Sequence, residues 1–130
     1  MFRIRGVITM KHLKIIGLAL CVSLLFAATA YAAVTSPTKS YSGSGNTYTS
    51  AMGATKTGVG KVSNSAGTTV VTLQKGTTSI MPLAGTGWTT TVSGAKSASG
   101  SSTNTSASYW RMKADGQADN SKGTMTATAQ

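Results

Sequence analysis

Ser108-Tyr109-Trp110-Arg111-Met112-Lys113-Ala114 is the stretch that decides the fold. Trp110, Met112 and Ala114 share one parity, while Tyr109, Arg111 and Lys113 share the other. An extended chain sends successive side chains to opposite faces, so this is the pattern of a half-buried β-strand. Its inner face is apolar; its outer face, aromatic and cationic, is expected to meet water. No other stretch combines a large aromatic, a long apolar side chain and paired cations in so few residues, and the core is expected to be built on it.

Working outward, weaker strands flank it on both sides. Residues 68–75 alternate, with Val71 and Leu73 on one parity, and residues 86–93 do the same with Trp88, Thr90 and Val92. Residues 46–55 place Tyr48 and Met52 together, whereas Val59 and Val62 fall on opposite parities; a bulge at Gly58 or Gly60 would reconcile them. Asn64-Ser65-Ala66-Gly67 has turn chemistry, since Asn and Gly both tolerate positive φ. Pro82 restricts residues 79–83 to an edge or an irregular crossing. Residues 94–105 read as a mobile Ser/Gly/Asn/Thr loop, Asp115-Gly116 opens a turn, and Met125, Ala127 and Ala129 mark a closing strand. The expected fold is all-β, a small antiparallel β-sandwich or barrel of about six or seven short strands. Its core should comprise Trp88, Trp110, Leu73, Val71, Val92, Met112 and Met125.

The N-terminal part of the 130-residue chain reads as a targeting segment. Lys11 and Lys14 form a positive start, an apolar run follows over 13–28, and Ala30-Tyr31-Ala32 fits a small-residue cleavage site. Residues 1–32 are therefore expected to be a helical signal peptide, with Met10 an alternative start, 33–45 a flexible lead-in, and 46–130 a single β-sandwich domain. A retained membrane anchor is the alternative, because the apolar run approaches spanning length; the cleavage pattern favours removal. Cys21 follows bulky Leu20 inside the apolar run, which argues against lipid attachment there. The expected location is secreted, extracellular or on the cell surface.

Composition limits what the mature chain can do. From Ala33 onward, eight cationic side chains oppose Asp115 and Asp119, a net charge of +6 over 98 residues. Such a chain is drawn to anionic surfaces, but its charges are scattered and form no phosphate-reading cluster, so specific nucleic-acid binding is not expected. Ser and Thr make up 36 of those 98 residues, and Val, Leu and Ile only nine. That balance leans toward disorder; low charge density and threonine-rich alternation pull back toward a thin-cored β domain. Its only other competitor is a low-complexity secreted tail.

Chemistry is scarce. The mature chain has no Glu, no Cys and no His, since His12 leaves with the leader, and most acid–base designs need one of them. Ser93-Gly94-Ala95-Lys96 and Ser36-Pro37-Thr38-Lys39 match S-x-x-K, which works on a helical turn that neither sequence favours. Gly58-Val59-Gly60-Lys61 resembles the end of a phosphate loop, yet Thr55 and Val62 stand where that motif needs Gly and Ser or Thr. Asp115 and Asp119 lack the spacing of a calcium loop and read as turn chemistry. Asn104-Thr105-Ser106 is a glycosylation sequon with a role only in a host that uses it. No enzyme activity, cofactor or metal is expected. Tyr109, Arg111 and Lys113 remain as the candidate binding surface, because an aromatic stacks on a sugar ring and cations hold an anionic polymer.

Residues 69–75, Trp88 with its threonines, and Tyr109-Trp110-Arg111-Met112-Lys113-Ala114 together resemble small exported β-sandwich proteins of Gram-positive bacteria. A fainter similarity is to lactococcin-type bacteriocins, from which this chain departs by extending well past Trp110. These resemblances carry no functional residue; the export signal, the missing acid–base residues and the strand pattern lead to the expectation of a non-enzymatic secreted or cell-surface protein that binds an anionic or carbohydrate polymer, or a neighbouring subunit, through exposed strand surface. Two alternatives stand beside it. One is a cationic bacteriocin-like toxin. The other is an extracellular fibre subunit, in which the lead-in donates a strand to the next copy's open edge.

Overall fold

The structure, a computed structural model, describes residues 32–80 and 83–130. The expected signal peptide lies outside them apart from Ala32. The remainder is all-β. Eight strands run in the order β1 (Val34–Thr35), β2 (Lys39–Ser42), β3 (Gly45–Tyr48), β4 (Met52–Ala66), β5 (Thr68–Gly76), β6 (Gly85–Ser93), β7 (Lys96–Gly116) and β8 (Lys122–Ala129), with no helix among the described residues. Every pairing is antiparallel. The sheet follows the path β1-β8-β4-β7-β5-β6, with β2 also on β8 and β3 also on β7, and its ends stay open.

β7 holds this path together. Its first half, Lys96 to Thr103, pairs with β4, and its second half, Tyr109 to Gly116, pairs with β5. β3 lies along the other side of that second half. The sheet folds over at this long strand, so that inward residues of the two halves meet. Gly60 of β4 lies against Met112 and Leu73, Gly58 under the Trp110 ring, and Gly100 of β7 under the Trp88 ring. A side chain at any of the three would occupy space the large neighbours already fill, which is how a chain poor in aliphatics still packs a core.

The alternation of residues 108–114 is as the sequence indicates on its inner face: Trp110, Met112 and Ala114 are fully buried. Trp110 also satisfies its indole, Nε1 donating to the Thr55 carbonyl at 3.1 Å. Val71, Leu73, Val92 and Met125 are buried with it, and Trp88 packs half-buried against the cluster. The core extends further than expected, taking in Tyr41, Val62, Leu83, Ala127 and Ala129.

Three expectations need correction. There are eight strands, more than the six or seven expected, because short pieces at the N-terminus also pair. Residues 33–45 are not a flexible lead-in: β1 and β2 lie along β8, with Pro37 accommodated in the unpaired step between them. Residues 94–105 are not a mobile loop, since nearly all of them belong to β7. Their inward positions are Ala98, Gly100 and Ser102, small residues that leave room for Trp88 and carry no hydrophobic period to betray a strand.

Asn64, buried near the end of β4, ties these pieces together. Its Nδ2 donates to the carbonyls of Ala66 at 3.1 Å, Gly67 at 3.0 Å and Gly94 at 2.7 Å. Its Oδ1 accepts from the Tyr41 hydroxyl at 2.7 Å and the Thr69 hydroxyl at 3.2 Å. One amide therefore fixes the β4–β5 turn, the β6–β7 turn and strand β2. Among the described residues no buried side-chain nitrogen or oxygen lacks a partner, as a low-dielectric polar network requires.

Replacing Trp110 with Ala removes the ring over Gly58 and should cost about 3–5 kcal/mol, read as a lower thermal midpoint; an unchanged midpoint contradicts this packing. Tyr41 gives a pH test. Burial raises its phenol above the ordinary 10.0, with Thr69 acting in the opposite direction. A raised folded-state value means the contribution is full below the unfolded value and lost as pH climbs through the folded one. Wild type should therefore lose stability above pH 10 more steeply than Tyr41→Phe, with parallel profiles at neutral pH.

Candidate functional site

The register brings Tyr109, Arg111 and Lys113 onto the outer face of β7, as their parity requires, but gives them different surroundings. Arg111 is buried at 5% exposure. Its Nε donates to Gln74 Oε1 at 2.7 Å, and its guanidinium carbon lies 4.2 Å from the centroid of the Tyr48 ring. Gln74 is on β5 and Tyr48 on β3, so the arginine clamps the strands on both sides of β7. Burial lowers its pKa and the neighbouring Tyr48 opposes that shift. The reading of Arg111 as a solvent-facing cation is thus corrected: a guanidinium covered by one ring and hydrogen-bonded to an amide has its face and Nε already engaged. Lys113, half-buried, sits across from Thr72 and Tyr48, and half-buried Tyr109 across from Gly76.

Sequence reasoning missed a second outer face, on the other half of the sheet. β8, β4 and the first half of β7 run side by side there, and their outward residues line up in rows. Thr124, Ser63 and Ser97 form one row; Thr126, Lys61 and Ser99 the next; Thr128, Val59 and Ser101 the third. Hydroxyl pairs cross the strands at its borders, Thr57 with Thr103 at 3.1 Å, Ser97 with Ser63 at 3.3 Å and Thr35 with Thr128 at 2.8 Å. Such cross-strand pairs hold side chains in a regular array.

The middle of this face is concave. A trough of about 490 Å³ is lined by Lys61, Ser63, Ser97, Ser99, Thr124 and Thr126, by Thr38 from the β1–β2 step, and by the intervening Val62, Ala98 and Met125. Lys61 is exposed at its centre. No aromatic residue and no carboxylate lines it. The only two acidic side chains of the sequence, Asp115 and Asp119, lie elsewhere, Asp115 opposite Asn46 and Val70 and Asp119 accepting from Ser44 at 3.3 Å. The signal available in the sequence was the Thr-x-Thr-x-Thr of 124–128 and the Ser-x-Ser-x-Ser of 97–101, whose hydroxyls share one parity.

The remaining motifs resolve into structure. Ser36 Oγ accepts from the Ala127 amide at 3.0 Å, and Ser93 Oγ pairs with Thr68 at 3.0 Å; neither S-x-x-K sequence lies on a helix. Gly58 and Gly60 sit inside β4 under core side chains, not in a phosphate-binding loop. Among the described residues no three His, Cys, Asp or Glu side chains gather as a metal site would need. Comparison with protein-family models, curated proteins and solved structures finds no match for this chain.

Arg111→Ala should lower stability by about 2 kcal/mol, from a lost charge-assisted hydrogen bond and a cation–π contact, read by chemical denaturation. Full stability of this variant would contradict the clamp across β3, β7 and β5.

Proposed function

We propose that the protein is exported and acts without catalysis at the cell surface or outside the cell, as a sandwich-like module that binds a hydroxylated, anionic polymer along strand surface. The trough around Lys61 carries this reading. A lone ammonium in a bed of hydroxyls suits a chain molecule that alternates negative charge with hydroxyl groups, since serines and threonines both donate and accept while Lys61 supplies the attraction. The absence of an aromatic from the lining disfavours stacking on sugar rings, the usual grip on a neutral glycan. The cationic balance of the mature sequence supports the same class of partner by raising its local concentration. The expected export signal supports the same reading, because such polymers occur outside the cell.

The reading is tested with full-length protein expressed with its own leader and recovered after export. It should be retained on immobilised polyglycerol phosphate and released by moderate salt, because an exposed charge contact is screened. Lys61→Gln should weaken retention severalfold with an unaltered thermal midpoint. Equal retention of Lys61→Gln and wild type would overturn the assignment.

A further inference from the structure

The N-terminal arm, residues 33–42, is bound to the rest of the domain as a separable piece. It lies along β8 through β1 and β2, and two buried anchors hold it. The Ser36 amide donates to the Ala127 carbonyl at 2.7 Å while Ser36 Oγ accepts from the Ala127 amide at 3.0 Å. Tyr41 covers Gly123, where a side chain would collide with the phenol, and its hydroxyl reaches Asn64. The arm meets the body mainly along β8, and only Gly43 and Ser44 separate β2 from β3, which pairs with a different strand.

That connection closes only in an unusual conformation. Gly43 has φ of 82° and Gly45 φ of 103°, values that side-chain-bearing residues rarely adopt. Nothing lies within 4 Å of where a Gly45 Cβ would stand, so the backbone alone demands glycine there. A short, conformationally restricted hinge joined to an arm with a complete set of contacts is the arrangement that permits exchange between identical chains, because every contact made in the single chain re-forms with a second copy and only the hinge differs.

We propose that the edge of β8 accepts the 33–42 arm of a second copy, so that the protein forms exchanged dimers or longer assemblies. The occupant is fixed by the contacts the arm already makes: the Gly123 hollow fits Tyr41, the Ala127 backbone fits Ser36, and Asn64 Oδ1 accepts the Tyr41 hydroxyl. The inference does not rest on the polymer reading, and neither the trough nor Lys61 enters it.

The test mixes isotopically light and heavy protein carrying Ser40→Cys and Thr124→Cys, which are Cα partners on β2 and β8, unfolds and refolds the mixture over a range of concentrations, and oxidises it. Peptides linking positions 40 and 124 should include light–heavy pairs in a fraction that rises with protein concentration. Gly45→Ala, which penalises the closed hinge without a clash, should raise that fraction about tenfold; inserting Gly-Ser-Gly after Ser44 should lower it. Native mass spectrometry of chains without the added cysteines should show the same order of dimer content. Same-label peptides and monomers alone at every concentration, with or without the hinge changes, would overturn the proposal. So would a mixed fraction indifferent to the hinge.

Discussion

The Asn64 amide is the constraint on which the rest of this structure depends. A domain with so few large apolar residues cannot rely on burial alone to choose between ways of folding one long sheet over itself. The amide supplies the choice. Its nitrogen holds the two turns at which the chain leaves β4 for β5 and β6 for β7, and its oxygen holds the hydroxyls of Tyr41 and Thr69. Each of those groups would be left unsatisfied in a low-dielectric interior if the sheet folded differently. The hydrophobic part of the core then needs little more than two tryptophans seated on glycines and a few side chains to fill the gap between the halves.

The same economy shapes the surface. Small inward residues along the first half of β7, and along β8 apart from Met125, let the strands approach the core closely, while their outward partners are almost all hydroxyls. Since β4 places Lys61 three residues before Asn64, the cation of the trough rides on the strand that the amide pins. The other outer face is built to the opposite end. There Tyr48, Gln74 and Arg111 close over one another, and the charge that looks most available in the sequence is spent in joining three strands.

How much of this was legible in the sequence follows from which residues carry a period. Trp110, Met112 and Ala114 alternate with polar residues, and their burial could be read directly. Val71, Leu73 and Val92 were legible for the same reason. Ala98 and Gly100 were not, because a small inward residue between serines has no hydrophobic contrast; the strand exists to give Trp88 a seat, and that is a tertiary fact. Arg111 could be placed on its face but not in its environment, since Tyr48 arrives only through the pairing of β3 with β7. Asn64 read as a turn residue, which it is, while its bonds to Tyr41 and Gly94 depend on segments far along the chain. The arm at 33–42 was hidden because its pairing is bought with two anchors, Ser36 and Tyr41, in otherwise featureless sequence.

The proposed polymer contact lies on the outer face around Lys61, and its position can be mapped. Backbone amide shifts recorded while soluble polyglycerol phosphate is titrated into the protein test that most directly. Binding in the trough should give saturable changes centred on Lys61, Ser63, Ser97, Ser99, Thr124 and Thr126, with neutral dextran producing none. Changes centred on Tyr109 and Lys113, or no changes at low salt, would contradict it.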